Sequence, residues 1–361
     1  MFFISNFKKF FIPIVFLIYV IYKSEIYWSG TERYYYVTYY IITAFLFIIN
    51  YVYFLLNKNF KQYFLIISIS TFISFYAFEF FLISKNLIYQ SKNYFAYYLS
   101  KNNNDSHVIS FSISNNPNDK KNNLLPLAGI SNKLTILPNE NGFFPIYKSD
   151  MYGFNNQNNK WRARGVDFVF IGDSFVQGYS VKREHNISES FQQLSRNKVL
   201  NLGFAGNGML RNLAVMREYL PENYKNIIYI HYEGNDSYET LQEYENLVLR
   251  KYLNKNFTQN LKTKQNEIDL LLKNYLKNNV KKGIERHKKE QTYLYILINF
   301  LKLKDTRIIL NKYLPTKYQP ANFFPYDIDY GEVELIYNKT LKEILSLVDK
   351  KKSQKIYFVY F

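Results

Sequence analysis

The sequence predicts an α/β domain on a mainly parallel sheet, preceded by transmembrane helices. Three observations carry this. Long apolar stretches fill the chain as far as Ile83. After Asp150, short apolar runs alternate with segments of helical spacing. Polar turns rich in Gly, Asn and Asp directly follow three of those runs. Strands alternating with helices imply helices layered on a parallel sheet.

Composition narrows the class. The 361 residues suit one or two domains, with 48% hydrophobic and 19% aromatic residues to build a core. The absence of cysteine excludes a disulfide scaffold, a zinc–cysteine site, an iron–sulfur cluster and a cysteine nucleophile. It leaves the redox compartment open, because large extracytoplasmic domains fold without disulfides. Lys and Arg number 46 against 29 Asp and Glu, a net charge of +17. Such a charge suits nucleic acid or an anionic membrane surface. Here the basic residues are scattered in short clusters such as Lys281–Lys282 and Lys288–Lys289, with no long arm. Abundant Lys, Asn, Ile, Tyr and Phe with few Gly and Pro read as a genome-wide compositional drift, so no nucleic-acid partner is expected.

Three spans are expected at the start. Phe10–Tyr22 extends through Ile26–Trp28 if Lys23 and Glu25 snorkel, giving a span over about 10–28. Tyr34–Leu56 carries no charge and Tyr63–Ile83 only Glu79, each long enough for a bilayer that needs roughly 20 apolar residues. No small-residue cleavage site follows the first stretch, which argues against a signal peptide. Lys8, Lys9, Lys58 and Lys61 favour an inside N-terminus, weakly offset by Lys23 and Arg33 in the loop between spans one and two. Three spans then put everything after Lys85 outside the cytoplasm, on the periplasmic side. Glu79 is expected near the outer end of its helix, reaching the interface without a role. Residues 85–150 read as a polar connector, with Lys101–Asn104 and Asn115–Asn123 as loops and Leu124–Leu137 and Gly142–Tyr147 as the entry to the domain.

The domain over 151–361 follows in order. Val166–Ile171, Lys198–Leu202, Asn226–Tyr232 and Lys355–Phe361 are the strands. Ser188–Arg196, Met209–Leu220 and Val333–Val348 are the helices between them. A helical insertion occupies about 238–327, with apolar spacing at Ile268–Tyr275 and Tyr293–Leu303. It reads best as an excursion packed on its own domain; an amphipathic cap over lipid or over the site is the alternative.

In parallel sheets, ligands bind beyond the carboxyl ends of the strands, where three polar turns fall. The first is Gly172-Asp173-Ser174-Phe175-Val176-Gln177-Gly178. A serine at such a strand-to-helix turn is exposed for attack on a carbonyl, with backbone N–H groups facing the oxyanion that develops. A phosphate loop is excluded by the missing Lys-Ser/Thr ending. The second turn, Asn201 to Gly208, repeats glycines that let backbone approach a ligand. The third is Glu233-Gly234-Asn235-Asp236, where an Asn side chain supplies a further donor. Each turn alone also reads as a plain connection; their succession at three strand ends is the stronger signal.

With these motifs, Asp150 to Phe361 resembles the SGNH hydrolase superfamily, the GDSL-like esterases and lipases. The stretch Tyr147 to Asn156 is similar to the lead-in of its membrane-linked bacterial members. The resemblance implies a flavodoxin-like α/β/α fold and an ester-hydrolysing activity without metal or organic cofactor. Ser174 is the implied nucleophile; the N–H of Gly206 and the Asn235 side chain are the implied oxyanion donors, with the N–H of Ser174. An ester substrate is implied, with O-acyl groups of a surface glycan fitting the location, alongside lipid and small acyl esters. Acyl transfer onto an extracellular polysaccharide uses the same residues.

Two departures stand out. Glu233 occupies a position where the family usually has glycine, and the Asp-x-x-His block that supplies the base is missing. His107, His185, His231 and His287 match it by position no better, although His185 is a possible substitute. The sequence therefore reads as a C-terminally truncated enzyme, with a non-catalytic membrane scaffold as the other reading.

Overall fold

The structure is a computed structural model that describes residues 11–31, 33–102, 107–110, 124–139, 143–162, 165–313, 330–348 and 353–360. The Lys8–Lys9 pair, the start of the first span at Phe10 and the Asn115–Asn123 tract lie outside them. The chain forms two units, Met1–Leu87 with Gln291–Tyr326, and Ile88–Glu290 with Asp327–Phe361.

The first unit opens with α1 (Phe11–Ile21), which widens into a π-helical turn over Tyr22–Tyr27 where Lys23 and Glu25 interrupt the apolar run. Next come α2 (Arg33–Leu55) and α3 (Lys58–Asn102). Within α3, the 28 residues Lys58–Lys85 are long and apolar enough to cross a membrane. The apolar part of α2, Tyr39–Leu55, is shorter. So where the sequence reads three spans, one helix among the described residues meets the length and apolarity of a span. The connector expected from Ser84 begins as helix, because no Gly or Pro between Ser84 and Asn102 interrupts α3.

The second unit holds two sheets. β1 (His107–Ile109), β2 (Leu134–Ile136) and β3 (Ile146–Lys148) form the smaller one, β1 parallel and β3 antiparallel to β2. The larger is built from β4 (Val166–Ile171), β5 (Val199–Asn201) and β6 (Tyr224–His231), linked through α4 (Ser174–Gln177), α5 (Ile187–Ser195) and α6 (Met209–Tyr219). After β6 follow α7 (Asp236–Tyr244), α8 (Leu247–Lys251) and α9 (Gln265–Glu290). There the expected insertion divides: α10 (Tyr293–Leu301) and α11 (Lys304–Tyr313) belong with the N-terminal helices. The chain returns as α12 (Tyr330–Ser346) and closes on β7 (Lys355–Tyr360).

The four strands are all parallel in the order β5-β4-β6-β7. Val169 and Ile171 of β4 and Ile227 and Tyr229 of β6 join the larger core with Leu210, Leu213 and Met216 of α6. The alternate residues Phe168, Phe170, Ile228 and Ile230 face Val176, Val199 and Phe191 of α5. This period-2 division puts helices on both faces of the sheet. β7 is the outer strand, with Tyr357 to Tyr360 exposed.

The lead-in is locked before the first large-sheet strand begins. Asp150 is fully buried and accepts from the N–H of Tyr152 and Phe154 (both 2.9 Å), Asn156 Nδ2 (2.8 Å) and Trp161 Nε1 (2.7 Å). Asn156 in turn exchanges hydrogen bonds with the backbone of Asn201 at the end of β5.

Candidate active site

The three polar turns follow β4, β5 and β6 at one edge of the sheet. Their positions are set by a shared hydrogen-bond network. In the first turn, Gly172 is obligatory on steric grounds. A Cβ there would stand 2.6 Å from Val176 Cγ2 and 2.8 Å from the Ile230 carbonyl oxygen, so only glycine lets the turn close against β6. Asp173 then caps α4, its Oδ1 accepting the Phe175 N–H at 2.9 Å. Ser174 is the first residue of that single helical turn and is half-buried. Its Oγ donates to Asp173 Oδ2 at 3.2 Å.

The second turn is tied to the first through Gln177, which is fully buried. Gln177 Oε1 accepts the Ala205 N–H at 2.9 Å while its Nε2 donates to the Tyr147 hydroxyl at 3.1 Å. Asn201 Nδ2 donates to the Val176 carbonyl at 2.5 Å, and Asn201 Oδ1 accepts the Gly203 N–H at 2.9 Å. Gly206 sits at φ +80°, in the left-handed region where glycine carries no Cβ penalty. The Oδ1 of neighbouring Asn207 is buried with no hydrogen-bond partner.

The third turn leads into α7. Asn235 precedes the helix at φ −141°, and its side chain makes no cap bond. Asn235 Oδ1 is also buried and unpartnered. Asp236 Oδ2 accepts the Tyr232 N–H at 2.9 Å and lies 3.1 Å from His231 Nδ1. Expected inside its strand, His231 instead occupies the last position of β6, stacked on Tyr360 with ring centroids 5.4 Å apart.

Behind the turns lies a group of carboxyls that the sequence reading missed. Glu243 is buried at the N-terminus of α6, accepting the N–H of Gly208 (2.6 Å), Leu210 (3.0 Å) and Arg211 (3.1 Å), with Arg211 Nε 3.3 Å away. Burial pushes its pKa up to about 7, against the pull of Arg211 and these backbone bonds. Glu239 is raised to about 8 by burial, then by the charges of Glu243, Asp236 and Asp173. Asp173 rises to about 6, first by burial and then by Asp236. The available signal was the spacing of Asp236, Glu239 and Glu243, which puts them along one side of a helix.

Of the residues expected to act, Ser174, Gly206 and Asn235 therefore lie on neighbouring strand ends, within turns that bond to one another or to shared elements. Of the four histidines only His231 reaches these turns, at the end of β6 and paired with Asp236 of the third. Ser174 Oγ is hydrogen-bonded to a carboxylate and to no imidazole. His185 ends an exposed 3₁₀ turn, His107 opens β1 and His287 lies on α9. Among the described residues no group of three or more His, Asp or Glu is arranged to hold a metal ion. A cavity of about 800 Å³ lies between β1 and α9, lined by Ile109, Lys273, Lys277 and Ile284, and it involves none of the three turns. Compared with family models, curated proteins and solved structures, the chain matches none.

Proposed function

We propose that the protein is a membrane-anchored serine esterase of the SGNH type, working through an acyl-enzyme on Ser174. The observation that carries this reading is the strand order. β4 lies between β5 and β6, so the chain reverses direction across the sheet between β4 and β6. In open α/β sheets the ligand crevice opens at such a switch point, beyond the strand ends. Ser174 follows β4 and Asn235 follows β6, so the two flank that crevice.

In this mechanism the Ser174 hydroxyl attacks the ester carbonyl carbon, and the carbonyl π electrons move to oxygen. The N–H groups of Ser174 and Gly206 and the Asn235 amide receive that oxyanion. Collapse expels the alcohol, which takes up a proton, and water then releases the acid and regenerates the hydroxyl. Asp173 holds the hydroxyl at rest, and a base must take the proton as the bond forms. Helix Lys58–Lys85 supports membrane attachment. Three spans with the N-terminus inside would put the domain on the periplasmic side, where acylated surface glycans are the fitting substrate.

A second reading, a non-catalytic scaffold that keeps the fold, is favoured by the carboxylate rather than imidazole partner of Ser174. Treating the folded full chain in detergent with a serine-reactive phosphonate separates the two. Labelling confined to Ser174, and lost in Ser174→Ala, supports the enzyme. No labelling of a folded chain supports the scaffold. Product formed only with a polysaccharide acceptor would instead assign acyl transfer. The membrane orientation is tested independently by a reporter fused after Asn102 that is active only outside the cytoplasm.

A further inference from the structure

The helices α10 and α11 carry chemistry that the proposed esterase does not use. α10 has the sequence YLYILINFL, without a charge and without a buried residue. Tyr293 is 81% exposed, Leu294 66% and Ile298 41%, and Leu301 and Ile308 add to the same apolar surface. Nine residues rise only about 14 Å, too short to cross a bilayer core of about 30 Å. In water such a helix would present a contiguous greasy face with nothing covering it.

What anchors it explains the exposure. The Glu79 side chain is fully buried and accepts the N–H of Asp305 at 3.0 Å, the N–H of Thr306 at 2.8 Å and the Thr306 hydroxyl at 2.7 Å. A carboxylate at the N-terminus of α11 also meets the positive end of the helix dipole. The Tyr76 hydroxyl donates to the Leu301 carbonyl at 3.1 Å, and its ring lies 5.0 Å from that of Phe300. Arg307 donates to the Tyr39 hydroxyl at 2.7 Å. All these partners sit on the apolar helices α2 and α3. Glu79 lies six residues before Lys85, the charged end of the candidate span, or about 9 Å along the helix axis. With Lys58–Lys85 as a span, the turn between α10 and α11 would lie near one end of the bilayer core, close to Phe80 and Phe81, which are exposed like α10 itself. Lys302, Lys304 and Arg307 cluster at that turn, as in helices that lie in the membrane interface.

We propose that α10–α11 is a second membrane-inserted element, a short helical pair whose apolar side chains lie among the lipid acyl chains and whose polar end is docked on α3 by Glu79. It rests on the reading of Lys58–Lys85 as a span. It also gives Glu79 a function: a carboxylate in a bilayer is costly unless its oxygens are satisfied, and here α11 satisfies them. No residue of the catalytic proposal takes part.

The chain contains no cysteine, so single-cysteine variants report unique sites. Leu294→Cys, Ile298→Cys, Ile69→Cys near the middle of the candidate span Lys58–Lys85 and Glu184→Cys in the second unit are made in the full chain. Each is reconstituted into phosphatidylcholine–phosphatidylglycerol vesicles and tested with a membrane-impermeant maleimide, then with an environment-sensitive fluorophore and spin-labelled acyl chains. Expected at positions 294 and 298 are reaction rates on the order of tenfold below that of position 184, because apolar surroundings disfavour the thiolate, and quenching by the spin-labelled lipid, as at position 69. Fast reaction at 294 and 298 with protection at 69 overturns the proposal while leaving the span intact. Protection without lipid quenching overturns it too, since protein rather than lipid would cover the face. Fast, unquenched reaction at 69 overturns the span itself, and the proposal with it.

Discussion

The Glu79 carboxylate accepts the backbone N–H of Thr306 at 2.8 Å across 227 residues of chain. With the bonds to Asp305 N and Thr306 Oγ1, it fixes where α11 begins. Glu79→Ala leaves these donors unsatisfied, at roughly 2–4 kcal/mol of local stability. Limited proteolysis of the reconstituted chain should then cut faster within 291–326 than in wild type, while Glu79→Gln, which keeps one acceptor oxygen, should fall between the two. Equal cutting in all three proteins would mean that Glu79 does not hold the segment.

For the catalytic proposal, Ser174→Ala should abolish both ester turnover and phosphonate labelling. Asn235→Ala removes one oxyanion donor and should slow turnover by roughly 10²–10³-fold with little change in substrate binding. Steady-state kinetics on a soluble acyl ester reads both. Full activity in Ser174→Ala would sink the mechanism.

The carboxyls near the turns set a pH dependence of stability. Glu239 is held up to about 8 from 4.5, and Asp173 to about 6 from 3.8. The folded state thus binds these protons more tightly than the unfolded chain does. Across that window the folded state carries more protons, so stability is present at the acid end and falls as pH rises toward about 8. Thermal unfolding of the full chain in detergent should show Tm declining from pH 5 to pH 8. Glu239→Gln should raise Tm at pH 8 and flatten the profile; an unchanged slope would refute the assignment to Glu239.

Asp150 accepts four hydrogen bonds from a buried position. Asp150→Ala strands those donors and should cost about 3 kcal/mol or more, a magnitude reached by broken buried networks. Denaturant unfolding followed by Trp161 fluorescence measures it directly, since Trp161 Nε1 is one of the donors.

The parallel strands were legible because each is a short apolar run closed by a polar turn. Val166–Ile171 keeps the expected bounds, and the three neighbouring runs shift by no more than two residues at either end. The turns were legible for the same reason, since Gly172, Gly206 and Asn235 are residue types that strand-end sites require. The carboxyl group was not, because Asp236, Glu239 and Glu243 at helical spacing read equally well as a solvated face. The pairing of His231 with Asp236 depended on where β6 stops. A strand continuing through Tyr232 would keep His231 internal, whereas the observed strand ends on it. Least legible was the division of the insertion at Gln291. An apolar stretch such as Tyr293–Leu303 has the same pattern whether it covers a protein core or meets lipid. Only the long-range bonds to Tyr76 and Glu79 assign the segment to the N-terminal helices.

The chain passes between its two units three times, after Leu87, after Glu290 and after Tyr326. A chain joined once to a membrane anchor is shed by one proteolytic cut. Here a nick at any single crossing leaves the second unit covalently continuous with helices of the first, so freeing it takes cleavage at all three. With the first unit in a membrane, as proposed, attachment of the second would be redundant, and a protease that cuts one linker would leave the two units joined.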